Sequence, residues 1–170
     1  MKPLIKEING TKPQFGEDCY ISENATIIGD VICGDRCSFW FNSVTRGDVH
    51  YIKMGNGVNV QDGAVIHCTY QKSPTNIGNQ VTIGHNAIVH GCTIKDRVLI
   101  GMGAIVLDDC IIESDSIIAA GAVVTIGTHV KTGEIYAGVP ARKVKEGDFK
   151  NQLLDLANKY VAYSKWFKDS

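Results

Sequence analysis

Apolar residues return along most of this chain at a fixed interval of six positions. Ile21, Ile27 and Cys33 open the series, Ile77 and Ile83 resume it, and Ile94, Ile100, Val106, Ile112, Ile118, Val124, Val130 and Tyr136 carry it on. Four places after these stand small or β-branched residues, such as Val98, Ala104, Cys110, Ser116, Ala122 and Thr128. Glycine and polar residues fill much of the space between. A period of six matches neither the 3.6-residue repeat of an amphipathic helix nor the simple alternation of one strand. It fits a solenoid of very short strands joined by tight turns. The larger aliphatic points inward, the small residue takes a corner, and Gly, Asn or Asp supplies the left-handed backbone that turns require. Stacked coils then bury a ladder of Ile and Val that no single coil could bury alone. The strictness of the period argues against a β-sandwich of many short strands.

The repeat resembles that of the hexapeptide-repeat superfamily. The fold class this implies is an all-β solenoid, a left-handed parallel β-helix with three hexapeptides per coil. At about eighteen residues per coil, Ile21 to Tyr136 has room for roughly six coils. The period slips in three places: between Thr45 and Met54, across the polar segment Thr69 to Thr75, and by one residue between Val89 and Ile94. Insertions in solenoids map to loops on one face, often the functional one. After Ala141 the pattern changes. Phe149, Leu153, Leu156, Ala157, Tyr160, Val161, Ser164 and Phe167 recur at helical spacing, with Asp148 as a candidate cap. The expected domains are 1-141, a β-helix with an N-terminal lead-in, and 142-170, an amphipathic α-helix of about 20 residues packed on the solenoid or on a neighbouring subunit.

Length and charge narrow the picture. A chain of 170 residues can bury a real core in one domain. A formal net charge of -1 leaves no basic excess for a phosphate backbone, so no nucleic-acid partner is expected. No apolar run approaches the roughly 18 residues needed to cross a bilayer, and Met1 to Gly10 lack a signal-peptide stretch; no membrane role and a cytoplasmic location are expected. The six cysteines, 19, 33, 37, 68, 92 and 110, include no Cys-x-x-Cys pair, which argues against a zinc ribbon and for small core thiols. Cys68 and Cys92 each lie within two residues of a histidine and are set apart for that reason.

The candidate chemistry lies in Val-Ile-His67-Cys and in Ile-Gly-His85-Asn-Ala-Ile-Val-His90-Gly. Three imidazoles and one open position form a catalytic zinc arrangement. His67 and His85 are eighteen residues apart, near one coil, which predicts the same side of the solenoid. Their repeat positions differ, however. His67 and His90 each follow an aliphatic directly, whereas His85 stands two places after Ile83. On that geometry one chain would offer His67 and His90, with His85 supplied by another. Spacing alone leaves this open.

The chain resembles the gamma-class carbonic anhydrase-like proteins over nearly its whole length. The marks are Ser-Val-Thr-Arg46-Gly-Asp48, then Asn59-Val-Gln61-Asp62-Gly-Ala-Val-Ile-His67, the His85 to Cys92 segment, and the closing Tyr136-Ala-Gly-Val-Pro-Ala. The resemblance implies a homotrimer in which His67, His85 and His90 bind Zn2+, or Fe2+ or Co2+, at each subunit interface. It implies an inter-subunit ion pair between Arg46 and Asp62, and a hydrogen bond from Gln61 to the metal-bound hydroxide. Asn59 and Asp48 would support that network, and Tyr136 would lie near the metal. The implied reaction is reversible hydration of carbon dioxide to bicarbonate by that hydroxide.

The family's proton-shuttle glutamates are missing. Val49 follows the Arg-Gly-Asp motif, Cys68, Thr69 and Tyr70 follow the first histidine, and Gly138 stands two places after Tyr136, where the family has asparagine. His50 is a substitute shuttle, since imidazoles titrate near neutrality. Two other functions share this fold: a hexapeptide-repeat acyltransferase or CoA-thioester hydrolase, and a non-catalytic metal-binding trimer.

Overall fold

A computed structural model describes residues 2–168. The chain winds into a parallel β-solenoid and ends in one helix, Lys150–Lys168. Seven parallel rungs stack along an eight-stranded sheet, from Tyr20–Ile21 to Glu134–Ala137, and its last strand, Arg142–Glu146, runs antiparallel and closes the ladder. The sequence estimate of six coils falls one short. Both ends of the counted stretch carry a rung, and the lead-in contributes strands of its own: Leu4–Lys6 and Gln14–Phe15 pair with Thr26–Cys33.

The inward columns are those the period predicts. Phe39, Val60, Ile83, Ile100 and Ile118 lie in register above one another and are fully buried, with Tyr136 next in the stack. Corners use left-handed backbone at Asn42, Asn86, Asp109 and Asp115, as expected, but also at Arg36, Gln80 and Arg97. Arg97 is held there by its guanidinium, which donates from Nε to Asp115 Oδ1 at 2.6 Å; Asp115 is the left-handed residue of the next rung.

The first slip of period is not a loop. Val44–Met54 is a single eleven-residue strand that bends round a corner, pairing with Val65–His67 at one end and Thr75–Ile77 at the other. The bend needs glycine twice. A Cβ on Gly47 would sit 2.4 Å from the Asp30 carbonyl oxygen, and one on Gly29 would sit 2.4 Å from that of Gly47. The second slip, Thr69 to Thr75, folds over the same corner, where the Ser73 hydroxyl donates to Asp109 at 2.7 Å.

The C-terminal helix begins where the Asp148 side chain accepts the Lys150 N–H at 3.1 Å, an N-terminal cap. It lies against Ser38–Phe39, Asn59–Val60 and Thr82–Ile83 of the eight-stranded sheet, burying Leu153, Ala157 and Ser164. At 19 residues it is about 28 Å long, close to the height of six rung spacings of about 4.8 Å. Its far end returns to the first rungs. Phe167 packs edge-on against Trp40 at 5.3 Å between ring centroids, and Lys168 pairs with Asp18 at 2.6 Å. Among the described residues no helix is long and apolar enough to cross a membrane.

Candidate metal centre

His67 and His90 come together because their strands pair. Val65–His67 and Ile88–His90 are neighbouring parallel rungs, with His67 opposite His90. Ile66 and Val89 point into the core and are fully buried, so the alternation of the strand turns both imidazoles outward. His67 Nδ1 then lies 3.2 Å from His90 Nε2. Thr75 stitches the two rungs beneath them: its hydroxyl donates to the His67 carbonyl at 2.7 Å and accepts the Gly91 N–H at 3.0 Å.

Each remaining ring nitrogen is held by a carboxylate. His67 Nε2 is 3.1 Å from Asp48 Oδ1, and His90 Nδ1 is hydrogen-bonded to Asp108 Oδ1. Burial pushes the Asp48 carboxyl up, but hydrogen bonds from Arg46 and His67 outweigh it and leave it below its usual range. Asp108 follows the same pattern, with hydrogen bonds from Thr69 and His90 prevailing over burial. Both are therefore acceptors, and the ring N–H groups donate to them. Burial moves His67 the other way, below its ordinary value, so the neutral ring is favoured. The consequence is specific. With both rings neutral and their other N–H groups committed to carboxylates, the two nitrogens that face each other present lone pairs that a cation can bridge.

His85 stands elsewhere on the chain. It stacks on Asp62, one rung earlier, with Nδ1 2.8 Å from Asp62 Oδ2. The expectation that it shares a side with His67 fails, because the Thr69 to Thr75 insertion lengthens that coil: Val60 pairs with Ile83, twenty-three residues on, rather than eighteen. Among the described residues, the histidines do not form a set of three with donor atoms within 4.8 Å of one another. Beside His85 the buried Gln61 donates to Asn59 Oδ1 at 3.0 Å, and Asn59 donates to Thr82 Oγ1 at 2.9 Å. A groove of about 410 Å³ runs from Gln61 and His85 past Met102 and Ile117 to Leu156 and Tyr160 of the helix.

The chain thus carries two separate polar clusters, Arg46, Asp48, His67, His90 and Asp108 on one corner and Asn59, Gln61, Asp62 and His85 on another. Arg46 pairs with Asp48 within the chain. Tyr136 joins neither cluster. It lies three rungs along the stack from Ile83, about 14 Å at the usual strand spacing. Sequence reasoning missed Asp108. Its signal was its place eighteen residues after His90, where one coil ahead a carboxylate can reach back to the imidazole.

Residues 91–125 match the model of the bacterial transferase hexapeptide family (six repeats). The chain is 40% identical to gamma carbonic anhydrase 1, mitochondrial, of Arabidopsis thaliana over 139 residues, covering 79% of this chain and 50% of that protein. It is 35% identical over 170 residues to a carbonic anhydrase of Geobacillus kaustophilus, covering 97% of this chain and 91% of the relative. It therefore spans about half the length of the plant protein and nearly all of the bacterial one. A crystal structure of a hexapeptide transferase family protein from Anaplasma phagocytophilum superposes with a TM-score of 0.91 at 38% identity, over 96% of this chain and 98% of that one.

Proposed function

The chain belongs to the gamma carbonic anhydrase-like family of hexapeptide-repeat proteins, and from that premise we propose that it is a lyase-type enzyme for the reversible hydration of carbon dioxide, working as a homotrimer with a shared metal site. One observation carries the reading: His67 Nδ1 and His90 Nε2 face each other at 3.2 Å with their other nitrogens tied to Asp48 and Asp108. Two nitrogens bound to zinc at about 2.0–2.1 Å in a tetrahedral site lie about 3.3 Å apart, so the pair fits the ion. Carboxylates on the far nitrogens are the usual orienting partners of ligating histidines.

In this reading His67 and His90 of one protomer and His85 of the partner subunit hold Zn2+, or Fe2+ or Co2+. When bound, the ion supplies acidity, lowering the pKa of water to about 7 so that hydroxide is available at neutral pH to attack carbon dioxide. The chain's own residues do the rest. Gln61, its amide tied to Asn59, orients the nucleophile. Arg46 meets Asp62 of the partner subunit across the interface, and Asp48 fixes the tautomer of His67. With Val49 in place of a glutamate, proton removal falls to His50. Its Nδ1 accepts the Tyr51 N–H at 2.9 Å, so the neutral ring carries its proton on Nε2, and taking up a second proton requires Nδ1 to release that amide.

Mixing two inactive variants tests the shared site. His67→Ala and His85→Ala homotrimers should each lack hydration activity by stopped-flow. Co-refolded together, they should regain part of it, because some interfaces then combine intact halves from different chains. No recovery in mixed trimers of normal mass would refute a shared site. The likeness to a hexapeptide transferase and the groove beside His85 favour one second reading, acyl transfer or thioester hydrolysis with His85 as general base. Thioester cleavage by holoprotein that shows no hydration would select it.

A further inference from the structure

Three thiols converge near the N-terminal end of the ladder, far along the chain from the histidines. The sulfurs of Cys19, Cys33 and Cys37 all lie within 4.8 Å of one another, and those of Cys19 and Cys33 are 4.0 Å apart. Among the described residues no other three His, Cys, Asp or Glu side chains gather so closely.

The ladder itself makes the cluster stand out. Cys37 occupies the column filled by Val58, Val81 and Val98 in the next three rungs, and Cys19 sits one rung before it. Cys33 stands in the column that continues as Met54, Ile77 and Ile94. The pattern is replaced by a thiol three times, all at one corner, and no later position of either column is a cysteine. A single thiol in a core is an ordinary small hydrophobe. Three that point at a common centre are a donor set.

The dimensions suit a metal. At thiolate–metal distances of about 2.3 Å, donors stand about 3.8 Å apart in a tetrahedral site and about 4.0 Å apart in a trigonal plane. Cys33 and Cys37 are buried while Cys19 reaches the surface, so one thiol guards an entry and two form the floor. The remaining polar atoms nearby are main-chain carbonyls, Gly34 O at 3.3 Å from the Cys19 sulfur and Gly55 O at 3.2 Å from that of Cys37. Soft donors without nitrogen or carboxylate company select soft cations.

We propose that Cys19, Cys33 and Cys37 form a second metal site, independent of the histidines, for a thiolate-seeking d10 cation: Cu+ held by three sulfurs, or Zn2+ with a solvent molecule completing the open Cys19 side. Each thiol releases its proton to solvent as it binds. The bound ion would clamp the first two rungs beside Asp18, where the end of the C-terminal helix is anchored.

The test uses the full chain, reduced and kept anaerobic, with Co2+ standing in for Zn2+ in one arm and Cu+ delivered from a chromophoric chelator in the other. Sulfur-to-metal charge-transfer absorption should develop in at least one arm, and the responding arm identifies the cation. Loading should slow alkylation of Cys19 at least about tenfold. The absorption should survive His85→Ala and Cys68→Ser. It should vanish in Cys37→Val, which installs the side chain of the next rung and should melt normally. No sulfur-to-metal band in either arm, a band that persists in Cys37→Val, or its loss in folded Cys68→Ser would overturn the site.

Discussion

Two corners of one solenoid handle polar chemistry in opposite ways. At the thiol corner, Cys19, Cys33 and Cys37 keep strict repeat positions, and the ladder alone brings the sulfurs together. At the histidine corner the side chains point outward, the period slips, and an external frame does the positioning: Asp48 and Asp108 hold the rings and Thr75 ties the strands. A residue that faces in takes its geometry from packing. One that faces out must be given it by hydrogen bonds, and that is where insertions and carboxylates collect.

The largest expected effect separates the corners outright. His67→Ala removes one of the two facing nitrogens, and carbon dioxide hydration should fall by at least about a thousandfold, because the ion that makes hydroxide available is lost. The sulfur-to-metal signal of the thiol corner should be unchanged; its loss would join the two sites. A smaller effect tests the frame. Asp108→Asn keeps the shape but weakens the hold on His90 Nδ1, and metal affinity at the histidine site should drop about 10- to 100-fold by chelator competition. Unaltered affinity would show that the rings are placed by packing after all.

Acid should loosen the histidine corner of metal-free protein. His67, Asp48 and Asp108 all sit below their ordinary values when folded, so the unfolded chain binds more protons and stability rises with pH. The His67 share is complete above its ordinary value of 6.5 and fades as pH falls through its lowered folded value; the carboxylate share is complete above 3.8 and fades below. The urea midpoint should therefore decline on mild acidification, and a midpoint that rose there would reverse the sign. The smallest effect belongs to the thiols. Without metal, Cys37→Val swaps one small core side chain for another and should change unfolding free energy by less than about 1.5 kcal/mol.

Much of this was legible in the sequence. The six-residue period places Ile66, Ile83, Val89 and Ile100 in the core, and all four are fully buried. The common place of His67 and His90 after an aliphatic foretold their pairing. What spacing hid was register across an insertion. Counting eighteen residues put His85 level with His67, when the coil there is longer and His85 stacks on Asp62. Asp108 escaped notice although no insertion intervenes: it stands eighteen residues after His90, about one coil on, and its contact shows only once the rungs are aligned. The left-handed Arg36 and Arg97 break the turn-residue rule, and for Arg97 a partner in the next rung explains it.

The returning helix has a consequence for how this family of shapes can change. It leaves the last rung and must land Phe167 on Trp40 and Lys168 on Asp18, so its fixed length acts as a ruler laid along the stack. Deleting one coil would carry its tip past the start of the ladder, and duplicating one would leave it short. A solenoid is in principle free to grow by repetition; here the final segment sets the number of repeats.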